Sequence, residues 1–317
     1  MSDASFNGVN YSLRPSKTIQ RGLIFEGLRQ LQDQLDWSRA SYVGFGSIWF
    51  TDFLLAHKIL RISRMVSIES NDVGYRRAVF NKPYRFIRMK QGVSSDVIPA
   101  LYDEARFPTH PSIMWLDYDE GLDEDKLDEL RFNVENAAPN SVLLVTLNAG
   151  ERHYGADDSQ RLERVKTLFG RLAPDTLRRR SVRGFGLAQT LAGLVQDAMV
   201  STSTKIRKVN SCVPAFNISY RDKATMITVG AIFPSQELRA FVRSTVRSPR
   251  WPGFVDDPII APHLTLLEAA VLQANLPRRP GLNRDAVQEL GFDLEDEQIR
   301  AFETFYRHYP VYAQIVS

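Results

Sequence analysis

A single cysteine in 317 residues, Cys212, excludes an internal disulfide and leaves no second thiol for a cysteine-built zinc site. Long apolar runs are equally scarce. No stretch approaches the ~20 residues needed to span a bilayer, and the opening MSDASFNGVNYSLRPSK has no apolar segment behind a basic head. These absences predict a soluble, unexported chain, with the cytoplasm as the expected compartment. An excess of charge of one sign is lacking too. With 40 basic and 37 acidic residues the formal net charge is +3, so composition alone does not indicate a nucleic-acid binder and only local clusters can make that case. There is no internal repeat and no low-complexity tract. What is present, 44% hydrophobic residues, suffices for one substantial core and a smaller appended lobe.

Through the first 150 or so residues, short β-branched or apolar runs alternate with helical patterns, the signature of a parallel sheet. Strands are expected at Ser41 to Gly44, Met65 to Ser70, Arg85 to Lys90, Ile113 to Asp117 and Ser141 to Asn148. Helices are expected near Thr18 to Leu35, Phe50 to Leu60, Gly74 to Asn81, Asp96 to Tyr102 and Glu124 to Ala137. From Ser159 to Ser201 the pattern is helical, with an arginine-rich joint at Leu177 to Gly184. Two β-like runs, Val213 to Tyr220 and Thr225 to Phe233, are then separated by only four residues, which can join antiparallel neighbours alone. Beyond Pro234 the chain reads as helices broken by prolines, with amphipathic segments near His263 to Gln273 and Glu295 to Tyr306. The expected fold is α/β, a doubly wound and mostly parallel sheet ending in an antiparallel hairpin. The expected division is an N-terminal arm and helix (1–40), a Rossmann-like domain (41–233) with a helical insertion at about 159–210, and a helical C-terminal extension (234–317).

Tyr42-Val43-Gly44-Phe45-Gly46-Ser47 places two glycines where the first strand turns into its helix, and glycine there lets backbone approach a ligand. The second expected strand ends in Glu69-Ser70, where a carboxylate in nucleoside-binding sheets accepts hydrogen bonds from ribose hydroxyls. On these residues the chain resembles the class I S-adenosylmethionine-dependent methyltransferases from about Asp36 to Phe233. Gly44-Phe45-Gly46 is similar to their first glycine motif, Glu69 to the acid closing their second strand, and Gln91-Gly92 to the loop after the third. Asp117-Tyr118-Asp119 stands where their fourth strand delivers residues to the reacting methyl group, and the terminal hairpin is similar to the end of their sheet. Two departures stand out: Tyr42 occupies the position of an acidic residue often found two before the first glycine, and Ile48 that of a third glycine. The amino-acid end of the cofactor therefore has no evident carboxylate for its ammonium group. G-x-G-x-x-G would need glycine at Trp49, so the nicotinamide pattern fails as well.

The resemblance implies an S-adenosylmethionine-dependent, O-methyltransferase-like enzyme of unknown acceptor. Gly44, Phe45, Gly46, Ser47, Glu69, Ser70, Gln91, Gly92 and Asp117 would bind the cofactor. Asp117 and Asp119 are the catalytic candidates, since mutual repulsion of two carboxylates raises one pKa towards a useful range for taking a hydroxyl proton; Asp119 also reads as a helix cap. Arg14, Lys17, Tyr118 and His153 are candidates to contact substrate, although the segment from Asn10 to Lys17 also reads as a loop in which Ser16 caps the first helix. No metal is expected, because the five histidines show no ligand spacing and Leu147 precedes Asn148 where metal-dependent catechol-type relatives carry a carboxylate. Arg178, Arg179, Arg180 and Arg183, with Lys205, Arg207 and Lys208, form basic clusters that together could bind nucleic-acid phosphates or serve as solvated faces. Phe292, Phe302, Phe305, Tyr306, Tyr309 and Tyr312 in the tail read as core, or as a dimer or partner interface. The rival to the enzyme is a catalytically inactive, methyltransferase-like binding subunit that works in a complex through the basic insertion and the aromatic tail.

Overall fold

The computed structural model describes residues 14–104, 107, 109–206 and 211–310. In chain order its elements are α1 (Pro15–Leu35), β1 (Ser41–Gly44), α2 (Thr51–Leu60), β2 (Arg64–Glu69), α3 (Asp72–Asn81), β3 (Ile87–Gln91), α4 (Ser94–Tyr102), β4 (Ser112–Asp117), α5 (Glu124–Asn136) and β5 (Ser141–Asn148). There follow α6 (Asp158–Phe169), α7 (Gly184–Ile206), β6 (Val213–Arg221), β7 (Thr225–Phe233), α8 (Arg239–Val246), α9 (Leu266–Ala274), α10 (Arg284–Glu289) and α11 (Asp296–Phe305). The seven strands form one sheet in the order β3-β2-β1-β4-β5-β7-β6. Pairing is parallel from β3 to β5, while β7 runs antiparallel to both β5 and β6. This is the mostly parallel sheet with a terminal hairpin that the alternation of apolar runs predicts.

The strands are apolar on both faces because both faces are covered. Along β5, Val142 and Leu144 enter a core shared with α1, α2 and the C-terminal helices, whereas Leu143, Val145 and Leu147 enter a core shared with α4, α5, α6 and α7. The C-terminal segment belongs to the first core: Leu272, Val287, Ile299 and Phe302 join the same buried cluster as Ile19, Leu23 and Trp115. Of the tail aromatics, Phe302 and Tyr309 are buried and their rings stand 5.0 Å apart. Phe292, Phe305 and Tyr306 pack against that core, as core residues should, and Tyr312 lies outside the described residues.

Several element ends differ from expectation, some through long-range contacts and some through local turns and caps. Helix α1 starts at Pro15, not Thr18, with proline in its first turn, where no intrahelical N–H is lost. Ser16 does not cap it. Asp222, in the β6–β7 turn, accepts from the Ser16 N–H (2.9 Å) and the Lys17 N–H (3.2 Å), while the Ser16 hydroxyl donates to the Arg221 carbonyl. Strand β3 starts at Ile87 rather than Arg85, because the preceding residues form a turn in which the Tyr84 and Phe86 rings stack beside His57. Helix α9 starts at Leu266 behind a Thr265–Glu268 capping box.

Candidate active site

The order of the sheet reverses at β1, whose neighbours β2 and β4 lead the chain to opposite edges, and ligand clefts in such sheets lie beyond the carboxyl ends of the strands at that point. A cleft of about 720 Å³ opens there. Phe45, Gly46 and Ser47 line it from the tip of β1, Glu69 and Ser70 from β2, Gly92 and Val93 from the loop after β3, Ser94 and Ser95 from the start of α4, and Asp117, Tyr118 and Asp119 from β4. Asp52 of α2, Arg21 of α1 and Glu129 of α5 complete the wall. Nine of the residues expected at the site thus share one cavity.

The glycine loop is held by its neighbours. The Gly46 N–H donates to the Ser67 hydroxyl (3.1 Å), and the Phe50 N–H donates to the Gly46 carbonyl (2.8 Å). A Cβ at Gly46 would meet the Phe50 ring and the Ser67 hydroxyl at 2.7 Å. The glycine is therefore required by packing beneath the loop, a different reason from the close ligand approach expected of it. Gly44 sits behind the lining, where a Cβ would press on the Trp115 carbonyl at 3.0 Å. Glu69 accepts from the Asn71 N–H through Oε1 (2.9 Å), and partial burial pushes its carboxyl above the usual glutamate range against that hydrogen bond. Gly92 lines the cleft at φ 141°, a conformation that favours glycine. Gln91 turns away: its amide donates to Asp72 Oδ1 (3.3 Å) and it does not line the cleft.

Asp117 is not the raised-pKa base that two neighbouring carboxylates suggested. Burial would raise its carboxyl, but Lys17 Nζ at 2.6 Å and Arg21 Nη2 at 4.0 Å outweigh it and hold Asp117 below the usual range. It is an ion-paired, acceptor-only group. Asp119 lies exposed at the rim, its carbonyl accepting from Asn148 Nδ2 (3.2 Å). It does not cap α5, which Asp123 does by accepting from the Lys126 N–H (2.9 Å). The Tyr118 ring packs edge-on against Phe45 at 5.3 Å, joining the β4 and β1 tips.

Three of the substrate candidates lie off the cleft. Lys17 is buried under Asp117, and Arg14 pairs with Asp222 at 3.4 Å, both anchoring α1. His153 sits where a Cβ on Gly121 would touch it and does not line the cavity. The basic clusters do not unite either. Arg178, Arg179, Arg180 and Arg183 precede α7 and Lys205 ends it, which at 1.5 Å per residue separates them by about 30 Å. Arg183 is also ion-paired with Asp158, and Arg207 and Lys208 lie outside the described residues. No helix of the described residues is long and apolar enough to cross a membrane, and no three His, Cys, Asp or Glu side chains among them gather into a metal-binding group.

Two residues of the site were missed by the motif reading. Asp52, on the first turn of the helix after the glycine loop, accepts from the Tyr42 hydroxyl at 2.6 Å. Burial pushes its carboxyl up, with Arg21 and Tyr42 opposing. Arg21 is one helical turn from Lys17 on the buried face of α1, and two basic residues at that spacing on a core-facing side are the signal that could have found it. Its Nε and Nη1 are buried without a hydrogen-bond partner among the described residues.

The family model described as "Putative O-methyltransferase" matches residues 9–317. The chain belongs to this family. Its sheet, parallel from β3 to β5 and closed by an antiparallel hairpin, is the one that the resemblance to class I methyltransferases implies. No curated protein matches it. Among solved structures, the chain is similar to an O-methyltransferase from Bacillus cereus in complex with SAH (11% identity, 72% of this chain and 93% of that one, TM-score 0.39). It is also similar to the O-methyltransferase TomG from Streptomyces achromogenes in complex with SAM (14%, 72% and 91%, 0.40) and to Trm1 from Pyrococcus horikoshii with S-adenosyl-L-methionine (11%, 76% and 61%, 0.47).

Proposed function

We propose that the chain transfers a methyl group from S-adenosylmethionine to a hydroxyl oxygen within the cleft at the tips of β1 to β4. The carrying observation is that the Gly46 loop and the Glu69 carboxylate, 23 positions apart in sequence, line one cavity. Glu69 would accept from the ribose hydroxyls, Phe45 to Ser47 would lie along the nucleoside, and Gly92 with Ser94 would flank the base. The bound cofactor supplies a sulfonium-activated methyl carbon. The protein's part is alignment, because in-line displacement gains most from fixed geometry. Asp119, exposed at the rim, takes the hydroxyl proton. Asp117 is a positioning charge that fixes α1 and its Arg21 beside the site.

Calorimetry tests this directly. The full chain should bind S-adenosylmethionine and S-adenosylhomocysteine and not NAD. Glu69→Ala should weaken binding about tenfold to a hundredfold, the loss expected for hydrogen bonds to a charged acceptor. Binding of NAD alone, or unchanged affinity in Glu69→Ala, overturns the reading. An inactive binding subunit would hold the cofactor yet yield no S-adenosylhomocysteine with any hydroxylated acceptor fraction.

A further inference from the structure

The departure at Tyr42 leaves the amino-acid end of the cofactor without the acid expected before the glycine motif. Tyr42 instead donates to Asp52 Oδ2 at 2.6 Å, and burial keeps the phenol protonated as that donor. A Cβ placed on Gly44 would come within 3.6 Å of the same oxygen, which sets the Asp52 carboxylate beside the first glycine. Arg21 lines the same cavity from α1 and is near enough to Asp52 to favour its charged form. Its residue exposure is 5%, and Asp117 at 4.0 Å is beyond hydrogen-bond reach, engaged by Lys17 instead.

A buried guanidinium with two unpartnered nitrogens is costly unless a ligand satisfies it, and its planar fork matches a carboxylate. A carboxylate and a guanidinium at one end of a cleft are complementary to an α-amino acid, which carries both opposite charges on one carbon. Resting on the reading above, we propose that Arg21 holds the α-carboxylate and Asp52 the α-ammonium of the cofactor's amino-acid end. The acid missing from the glycine motif is thereby relocated to α2, and its cationic partner comes from a helix before the sheet begins. A nucleoside gripped at Glu69 would extend across the β1 tip towards this pair.

The test compares three ligands by calorimetry on the full chain: S-adenosylmethionine, its decarboxylated analogue, and methylthioadenosine, which lacks the amino-acid portion. In the wild type, loss of the carboxylate should weaken binding about tenfold or more. Arg21→Met should weaken S-adenosylmethionine by a similar factor and leave the decarboxylated analogue and methylthioadenosine unchanged. Asp52→Asn should weaken the first two ligands and spare the third. Arg21→Lys, which keeps the charge without the fork, serves if Arg21→Met does not fold and should fall between Arg21→Met and the wild type. Equal wild-type affinity for S-adenosylmethionine and its decarboxylated analogue overturns the proposal, and then Arg21 is left to an acceptor's anion. Failure of all three ligands to bind the wild type sinks the cofactor reading itself, a distinguishable result.

Discussion

Lys17 and Asp117 show how a residue can be essential to a site without doing its chemistry. Lys17 Nζ is buried, and Asp117 at 2.6 Å is its counter-charge. Removing one member of such a pair leaves the other uncompensated, while replacing both by apolar groups restores much of the loss. Asp117→Asn is therefore expected to lose about 3 kcal/mol or more of stability in denaturant unfolding, with Lys17→Met/Asp117→Leu recovering most of it. A double variant no more stable than Asp117→Asn would show that the pair is not the cause. The pH dependence has a definite sign. The Asp117 carboxyl is held below its unfolded value, so its contribution is present above the unfolded pKa and is lost as pH falls through the folded one. Glu69 is displaced the other way, upward by burial, and a ribose needs its ionised form. Cofactor affinity should thus begin to fall on acidification above the ordinary glutamate range, and Glu69→Gln should remove that component. A wild-type affinity flat down to the ordinary range would contradict it.

Elements were legible in the sequence where an apolar run or a short turn sets them, and least legible where a distant residue does. The strands β1, β5 and β7 have the ends their apolar runs predict, because a sheet buried on both faces writes each strand as a continuous run. The four-residue turn between β6 and β7 fixed their antiparallel pairing for a purely geometric reason. The start of α1 was not legible, since its cap is Asp222, some 200 residues away. Nor was Arg21's aim into the cleft, which depends on how α1 lies across the sheet. The Gly46 loop and Glu69 could be read because a βα unit brings them together locally, whereas Arg14, in the arm before the first helix, and His153, after the fifth strand, do not line the cleft. The distant cap gives a prediction at this scale. Asp222→Ala should cost about 1 kcal/mol, the usual value of a lost N-cap, and weaken S-adenosylmethionine binding as well, because Arg21 stands on the second turn of the helix it begins. Loss of stability with unchanged affinity would mean that Arg21 is placed by the sheet alone.

For the whole molecule, the decisive contact is between the two ends of the described chain. Helix α1 lies between the sheet and the C-terminal segment, in one apolar cluster with Ile299, Phe302 and Tyr309. His308 packs where a Cβ on Gly22 would sit, and its Nε2 is 3.0 Å from Glu26 Oε2. The C-terminal segment, expected as a helical extension from residue 234 whose aromatics read as core, shares that core with the helix that carries Arg21. Full burial of a large apolar side chain stabilises by about 1.5–3 kcal/mol, so Ile299, Phe302 and Tyr309 together contribute about 5–9 kcal/mol. That is comparable to the entire stability of many domains, about 5–15 kcal/mol. A chain ending at residue 294 should consequently be insoluble or lack a cooperative melt. The milder Phe302→Ala should lower the melting temperature, at a cost of about 3 kcal/mol, and weaken S-adenosylmethionine binding through α1. The tail would prove dispensable if the shortened chain melted at the full-length temperature and bound the cofactor equally well, and Arg21 would then owe its position to the sheet and Asp117 alone.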